Sequence, residues 1–89
     1  MQIELVAMIK SLNEEKYQAF VAYLKAAREA QGLSIRALGE LIGEHNQIVH
    51  RIENGERKLT VQEYVQYCRA LKIEPMPGIE MLDESTTSK

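Results

Sequence analysis

The run IRALGELIGEHNQIVHRIEN, from Ile35 to Asn54, decides how this chain folds. Its apolar residues recur at helical spacing in two short bursts, Ile35, Leu38 and Ile42 and then Ile48, Val49 and Ile52, separated by Gly43. Ser34 fits the N-cap of the first burst, and Gly43 stands where the chain must turn and tolerates positive φ. Each burst has a single apolar face, so the two helices must share one core across a tight turn, the layout of a helix-turn-helix. Gly39 leaves room where the second helix crosses the first. With Val49 and Ile52 turned inward, Asn46, Gln47, His50 and Arg51 point outward. Amides and guanidinium groups form bidentate bonds to adenine and guanine edges in the major groove, which makes this face a candidate base-reading surface.

Upstream, Leu5, Met8, Ile9 and Leu12 predict a short helix over residues 2–12. Asn13 fits the N-cap of the next helix, with Glu14 and Glu15 in its first turn and Leu12 and Tyr17 as a hydrophobic staple. That helix runs to about Gln31, where Gly32 stops it. The second helix of the motif spans about His45 to Glu53 and is closed by Asn54-Gly55. Downstream, Thr60-Val61-Gln62-Glu63 reads as a capping box opening a helix whose buried side is Val61, Tyr64, Val65, Cys68 and Leu71. Pro75 and Pro77 break the pattern and leave one turn at Ile79–Leu82. No segment alternates with a period of two. The expected fold is all-α, a compact bundle of about five helices containing the helix-turn-helix. Its expected partition is an N-terminal helix over residues 1–12 that serves as core cover or dimer contact, a DNA-binding domain over 13–82, and a disordered tail over 83–89.

Composition narrows the function. A chain of 89 residues holds one domain, and 45% hydrophobic residues suffice for a core and exceed what a disordered chain carries. The single cysteine, Cys68, cannot form an internal disulfide and sits at core spacing, as a small buried hydrophobe would. Lys10, Glu14 and Glu15 interrupt the first third before any run reaches the roughly 18 apolar residues of a membrane span. Met1-Gln2-Ile3-Glu4 lacks the basic opening of a signal peptide, so the expected location is cytoplasmic, with no membrane partner. The net charge of −2 argues against a nonspecific nucleic-acid coat protein. The middle of the chain nevertheless carries a slight cationic excess. Between residues 24 and 59 the cations outnumber the acids by one, whereas acids prevail over residues 60–89. His45 and His50, five apart, lie roughly 140° apart around a helix and share no metal easily. No nucleophile–base or paired-carboxylate pattern accompanies them, so no catalytic residue, metal or cofactor is expected and the chain is read as a non-enzyme.

Residues 20–74 resemble the lambda-repressor-like helix-turn-helix family, also called the Cro/C1 or XRE family. The resemblance rests on Leu24-Lys25-Ala26-Ala27-Arg28, Gly32-Leu33-Ser34, Leu38-Gly39-Glu40-Leu41-Ile42-Gly43, and Arg51-Ile52-Glu53-Asn54-Gly55-Glu56-Arg57. It implies that the second motif helix lies in the major groove, with Asn46, Gln47 and Arg51, beside His50, reading bases. It also implies phosphate contacts from Ser34, Asn54, Arg57 and Lys58, which Arg36 joins, and a structural ion pair of Arg28 with Glu53. Two positions depart from the family pattern. Ile35 stands where a backbone-touching Gln is usual, and Glu44 stands where an apolar residue is common.

The expected function is a sequence-specific DNA-binding transcriptional regulator, acting as a repressor on a double-stranded operator. One recognition helix reads few base pairs, so two half-sites roughly 34–36 Å apart and a homodimer are expected. Candidate dimer surfaces are Leu5, Met8 and Ile9, or Ile79, Met81 and Leu82. The alternatives are an antitoxin-type regulator with a protein partner, or a protein-interaction module that kept the fold without binding DNA. The feature that separates them is whether positive potential gathers at Arg36, Arg51, Arg57 and Lys58.

Overall fold

The helices that begin after Ser34, His45 and Thr60 are started by side-chain caps, and most helix ends are set by a left-handed turn. The structure, a computed structural model, describes residues 2–83, with side chains from Glu14 onward. The helices are α1 (Gln2–Ala30), α2 (Ile35–Ile42), α3 (Asn46–Glu53), α4 (Val61–Leu71) and α5 (Pro75–Leu82), and the described residues contain no strand. Ser34 Oγ accepts from the Ala37 N–H to open α2. Thr60 and Glu63 form a reciprocal capping box at the start of α4. At the end of α2, Gly43 adopts φ 74°, and the Gly43 and Glu44 N–H groups bond back to Glu40 and Gly39. This Schellman pair satisfies carbonyls that the helix leaves open. The same arrangement closes α1 through Gly32 and Leu33 and α3 through Gly55 and Glu56. At the end of α4, Lys72 at φ 59° stands in the glycine position, and the Lys72 and Ile73 N–H groups both bond to the Cys68 carbonyl.

The core gathers Phe20, Val21 and Leu24 of α1, Leu38 and Ile42 of α2, Val49 and Ile52 of α3, and Tyr64, Tyr67, Cys68 and Leu71 of α4. Phe20 stacks at 5.3 Å on Tyr64 and at 5.8 Å on Tyr17. α2 packs against both α3 and α4, and α5 lies across α1. Gly39 is where α2 and the turn into α3 touch. A Cβ there would stand 2.8 Å from the Glu44 carbonyl oxygen.

Three expectations are corrected. Asn13 caps no helix, because α1 runs unbroken from Gln2 to Ala30. That stretch holds neither Gly nor Pro, and residues such as Ser11 and Asn13 cost a helix only about 0.5 kcal/mol each relative to Ala. On α4, Val61 and Val65 are solvent-facing (82% and 46% exposed) and Tyr67 is fully buried. Residues 64, 67, 68 and 71 make as regular a helical stripe as the expected set, and the inward Glu63, paired with Arg57, goes with it. Finally, Pro75 and Pro77 do not shorten α5. Both fall in its first turn, where the missing N–H groups would have had no intrahelical acceptor.

The Leu12–Tyr17 staple and the Leu5, Met8 and Ile9 surface rest on side chains outside the described set, as does the tail from residue 84. Among the described residues no helix is long and apolar enough to cross a membrane, and no cluster of three or more His, Cys, Asp or Glu side chains could hold a metal ion.

Candidate nucleic-acid interface

The α3 helix has an inner wall of Val49 and Ile52, both essentially inaccessible, and an outer face carrying Gln47, His50 and Arg51. Asn46 is half-buried at the first turn, against the Gly39 crossing. His45, expected inside the helix, is instead its N-cap, with ring Nδ1 accepting from the Gln47 N–H at 3.1 Å. One turn on, Asn54 Nδ2 stands 3.1 Å from His50 Nδ1. Gln47, His50, Arg51, Asn54 and Glu56 line a shallow hollow of about 270 Å³ on this face. The structure therefore brings together most of the residues that sequence reasoning assigned to bases, with Asn54 at their edge.

Behind this face α3 is anchored by a buried ion pair. Arg28 donates from Nε to Glu53 at 2.6 Å, from Nη2 to the other carboxylate oxygen at 3.1 Å, and from Nη1 to the Leu33 carbonyl at 2.6 Å. The side chains are only 9% and 4% exposed. One guanidinium thus ties the end of α1, the loop into α2 and the last residue of α3 together. The Glu53 contact raises the Arg28 pKa above its ordinary value against the opposing effect of burial.

The cations expected at phosphates are placed less freely. Arg57 makes two parallel bonds to Glu63, at 3.0 and 2.9 Å. Hydrogen bonding to Glu63 raises the Arg57 pKa, with Glu44 adding to the field. In return Arg57 lowers the Glu63 pKa, helped by the Thr60 backbone N–H. Lys58 lies 4.6 Å over the Tyr17 ring with Nζ 3.5 Å from Glu14. Arg51 Nε is 4.0 Å from Glu56. Both of these last pairs are more than half exposed, so each is worth little to stability and can exchange an acid for another anion. Arg36 is exposed and makes no ion pair among the described residues, and Ser34 spends its oxygen on the α2 cap.

Sequence reasoning missed the acids Glu14, Glu56 and Glu63 as partners of these cations. The Thr60 capping box was a usable signal for Glu63, since it turns that carboxylate back toward the residues just before the helix. Tyr67 was missed altogether. Its hydroxyl is buried without a hydrogen-bond partner among the described residues, and burial raises its pKa, with Glu53 and Glu63 adding to the shift.

A helix-turn-helix family model matches residues 24–76, which takes in the end of α1, all of α2, α3 and α4, and most of the core. Among solved structures, an XRE-family like protein from Pseudomonas syringae pv. tomato superposes with a TM-score of 0.79 at 30% identity, covering 89% of this chain and 96% of that one. No curated protein matches. On the fold, the family match and the structural likeness together, the chain belongs to the XRE-type helix-turn-helix family of DNA-binding regulators.

Proposed function

We propose that the protein is a sequence-specific transcriptional repressor of the cytoplasm that occupies a double-stranded operator as a homodimer. In this reading α3 enters the major groove, with Gln47, His50 and Arg51, beside Asn46, reading base edges. Ser34, Arg36, Asn54, Arg57 and Lys58 serve the phosphates. The observation that carries the reading is the outer face of α3, whose amide, imidazole and guanidinium heads are presented to solvent while Arg28 and Glu53 fix the helix from behind. Arg57 acts as a positioned cation, because its pair with Glu63 holds the loop after α3 in place. Self-association is supported by the apolar residues exposed on α4 and α5, Val61, Met76, Ile79 and Leu82, around a groove of about 200 Å³ lined by Tyr17, Phe20 and Tyr64. The test is selection from a randomised duplex pool, followed by binding of selected and scrambled DNA at two salt concentrations. A repressor of this kind prefers the selected duplex by roughly a thousandfold or more.

One observation favours an alternative reading, a protein-interaction module that kept the fold without binding DNA. Arg51, Arg57 and Lys58 each face an acid, so the positive potential expected over the loop after α3 is partly cancelled within the chain. Absence of binding to either duplex at low salt decides for that reading.

A further inference from the structure

Where α1 gives way to α2, a cleft of about 660 Å³ opens against the C-terminal half of α4. It is separate from the hollow on the α3 face, with which it shares no lining residue. Its floor is apolar, formed by Leu33, Leu41 and Ile42, and Leu41 is 61% exposed there. Its rim carries Gln31, Gln66, Arg69 and Lys72. None of these four side chains makes a hydrogen bond or ion pair among the described residues, and no acid lines the cleft among them. This contrasts with Arg28, Arg51, Arg57 and Lys58, each of which has an acidic neighbour. Lys72 closes α4 in a left-handed position that glycine would fill without strain, so the turn itself does not account for a lysine.

A concave apolar floor within the roughly 300–1,000 Å³ span of ligand clefts, rimmed by a few uncommitted polar groups, is the general form of a small-molecule site. Two unpaired cations and two amides without an acid select the sign of the ligand. We propose that this cleft binds a small amphipathic carboxylate, an alkyl or aryl acid whose body covers Leu41 and whose carboxylate lies between Arg69 and Lys72. The amides of Gln31 and Gln66 donate to the same head group.

The probe is octanoate, titrated below its micellar range into the full ¹⁵N-labelled chain, with octylammonium as the control of opposite charge. Octanoate should shift the backbone amides of residues 31–33, 41–42, 66 and 69–72 in a saturable way, and octylammonium should not. Replacing both cations, Arg69→Ala with Lys72→Ala, should weaken octanoate about tenfold per charge-assisted bond lost. Both residues are exposed, so the fold is retained, and Leu41→Glu gives a second variant that places an acid on the floor and abolishes binding. Equal shifts from both probes, or unchanged octanoate affinity in the double variant, would overturn the proposal. So would concentration-dependent shifts at the same amides in the free protein, which assign the cleft to a second copy. The salt dependence of DNA binding should be the same in wild type and the Arg69→Ala/Lys72→Ala protein. A shallower slope in the variant would place these cations on DNA and refute the ligand site without touching the α3 reading.

Discussion

Replacing Glu53 by Ala is the perturbation whose cost the structure specifies best. It strands the Arg28 guanidinium, which loses the 2.6 and 3.1 Å bonds and keeps one bond to the Leu33 carbonyl and a long 3.9 Å contact to the exposed Glu29. Arg28 is 7% exposed, too deep for water to replace a carboxylate fully. Breaking such a pair from one side costs about 3–5 kcal/mol, because the remaining charge stays buried without compensation. A chain of 89 residues has a total stability of roughly 4–13 kcal/mol, so the variant sits near the edge of folding. The assay is urea unfolding followed by far-ultraviolet circular dichroism. With a slope of roughly 1–3 kcal/mol per molar, the midpoint should fall by at least about 1 M. The matching control removes both charges, Arg28→Met with Glu53→Leu, and should recover most of the loss, since apolar residues of similar volume replace buried pairs without large penalty. A Glu53→Ala midpoint within experimental error of wild type, or a double variant weaker than the single, would refute the argument that the stranded charge sets the cost.

Three further outcomes follow from the same geometry. Gly39→Ala places a methyl group 2.8 Å from the Glu44 carbonyl, so α2 and α3 must separate at a cost of about 1–3 kcal/mol, and a thermal melt unchanged from wild type would contradict the crossing. Glu63 has its pKa lowered by Arg57, so its contribution is present above the unfolded value near 4.5 and is lost as pH falls through the folded value. The stability gap between wild type and Glu63→Gln should therefore narrow between pH 6 and pH 3, and a constant gap in urea midpoints counts against the pair. Lys58→Ala should weaken selected and scrambled DNA alike and reduce the salt slope by about one unit, and an unchanged slope removes Lys58 from the phosphate set.

Much of this architecture was legible in the chain because local signals and global packing agree. Ser34, Gly43 and Thr60 mark helix boundaries through their own hydrogen bonds or φ preference, which is chemistry carried by single residues. The outward residues of α3 were readable for a related reason, since Val49 and Ile52 leave only one side for them. What was hidden depends on contacts between distant residues. The lack of Gly or Pro around Asn13 permits a helix to continue through it without requiring one, and the packing of α5 against α1 is not visible locally. The choice of Tyr67 over Val61 for the core goes with Glu63, one turn before Tyr67, being turned inward to pair with Arg57. The acid that faces Lys58 was equally invisible, since Glu14 reaches it only once α1 and the loop before α4 are side by side. Gly78 belongs with these, because only the folded chain brings Tyr64 and Phe20 against it.

The account stands on α3 reading sequence, and Gln47 is the side chain that isolates this claim. It is exposed on the outer face, makes no side-chain hydrogen bond among the described residues, and can be shortened without disturbing the core. The measurement is the ratio of affinities for selected and scrambled duplexes, wild type against Gln47→Ala, at one fixed salt concentration. Loss of a bidentate base contact should cost about 1–3 kcal/mol on the selected duplex and leave the scrambled one unchanged, so the ratio falls roughly 5- to 150-fold. If both duplexes lose affinity equally, or neither does, Gln47 reads no base and the placement of α3 in the major groove is wrong.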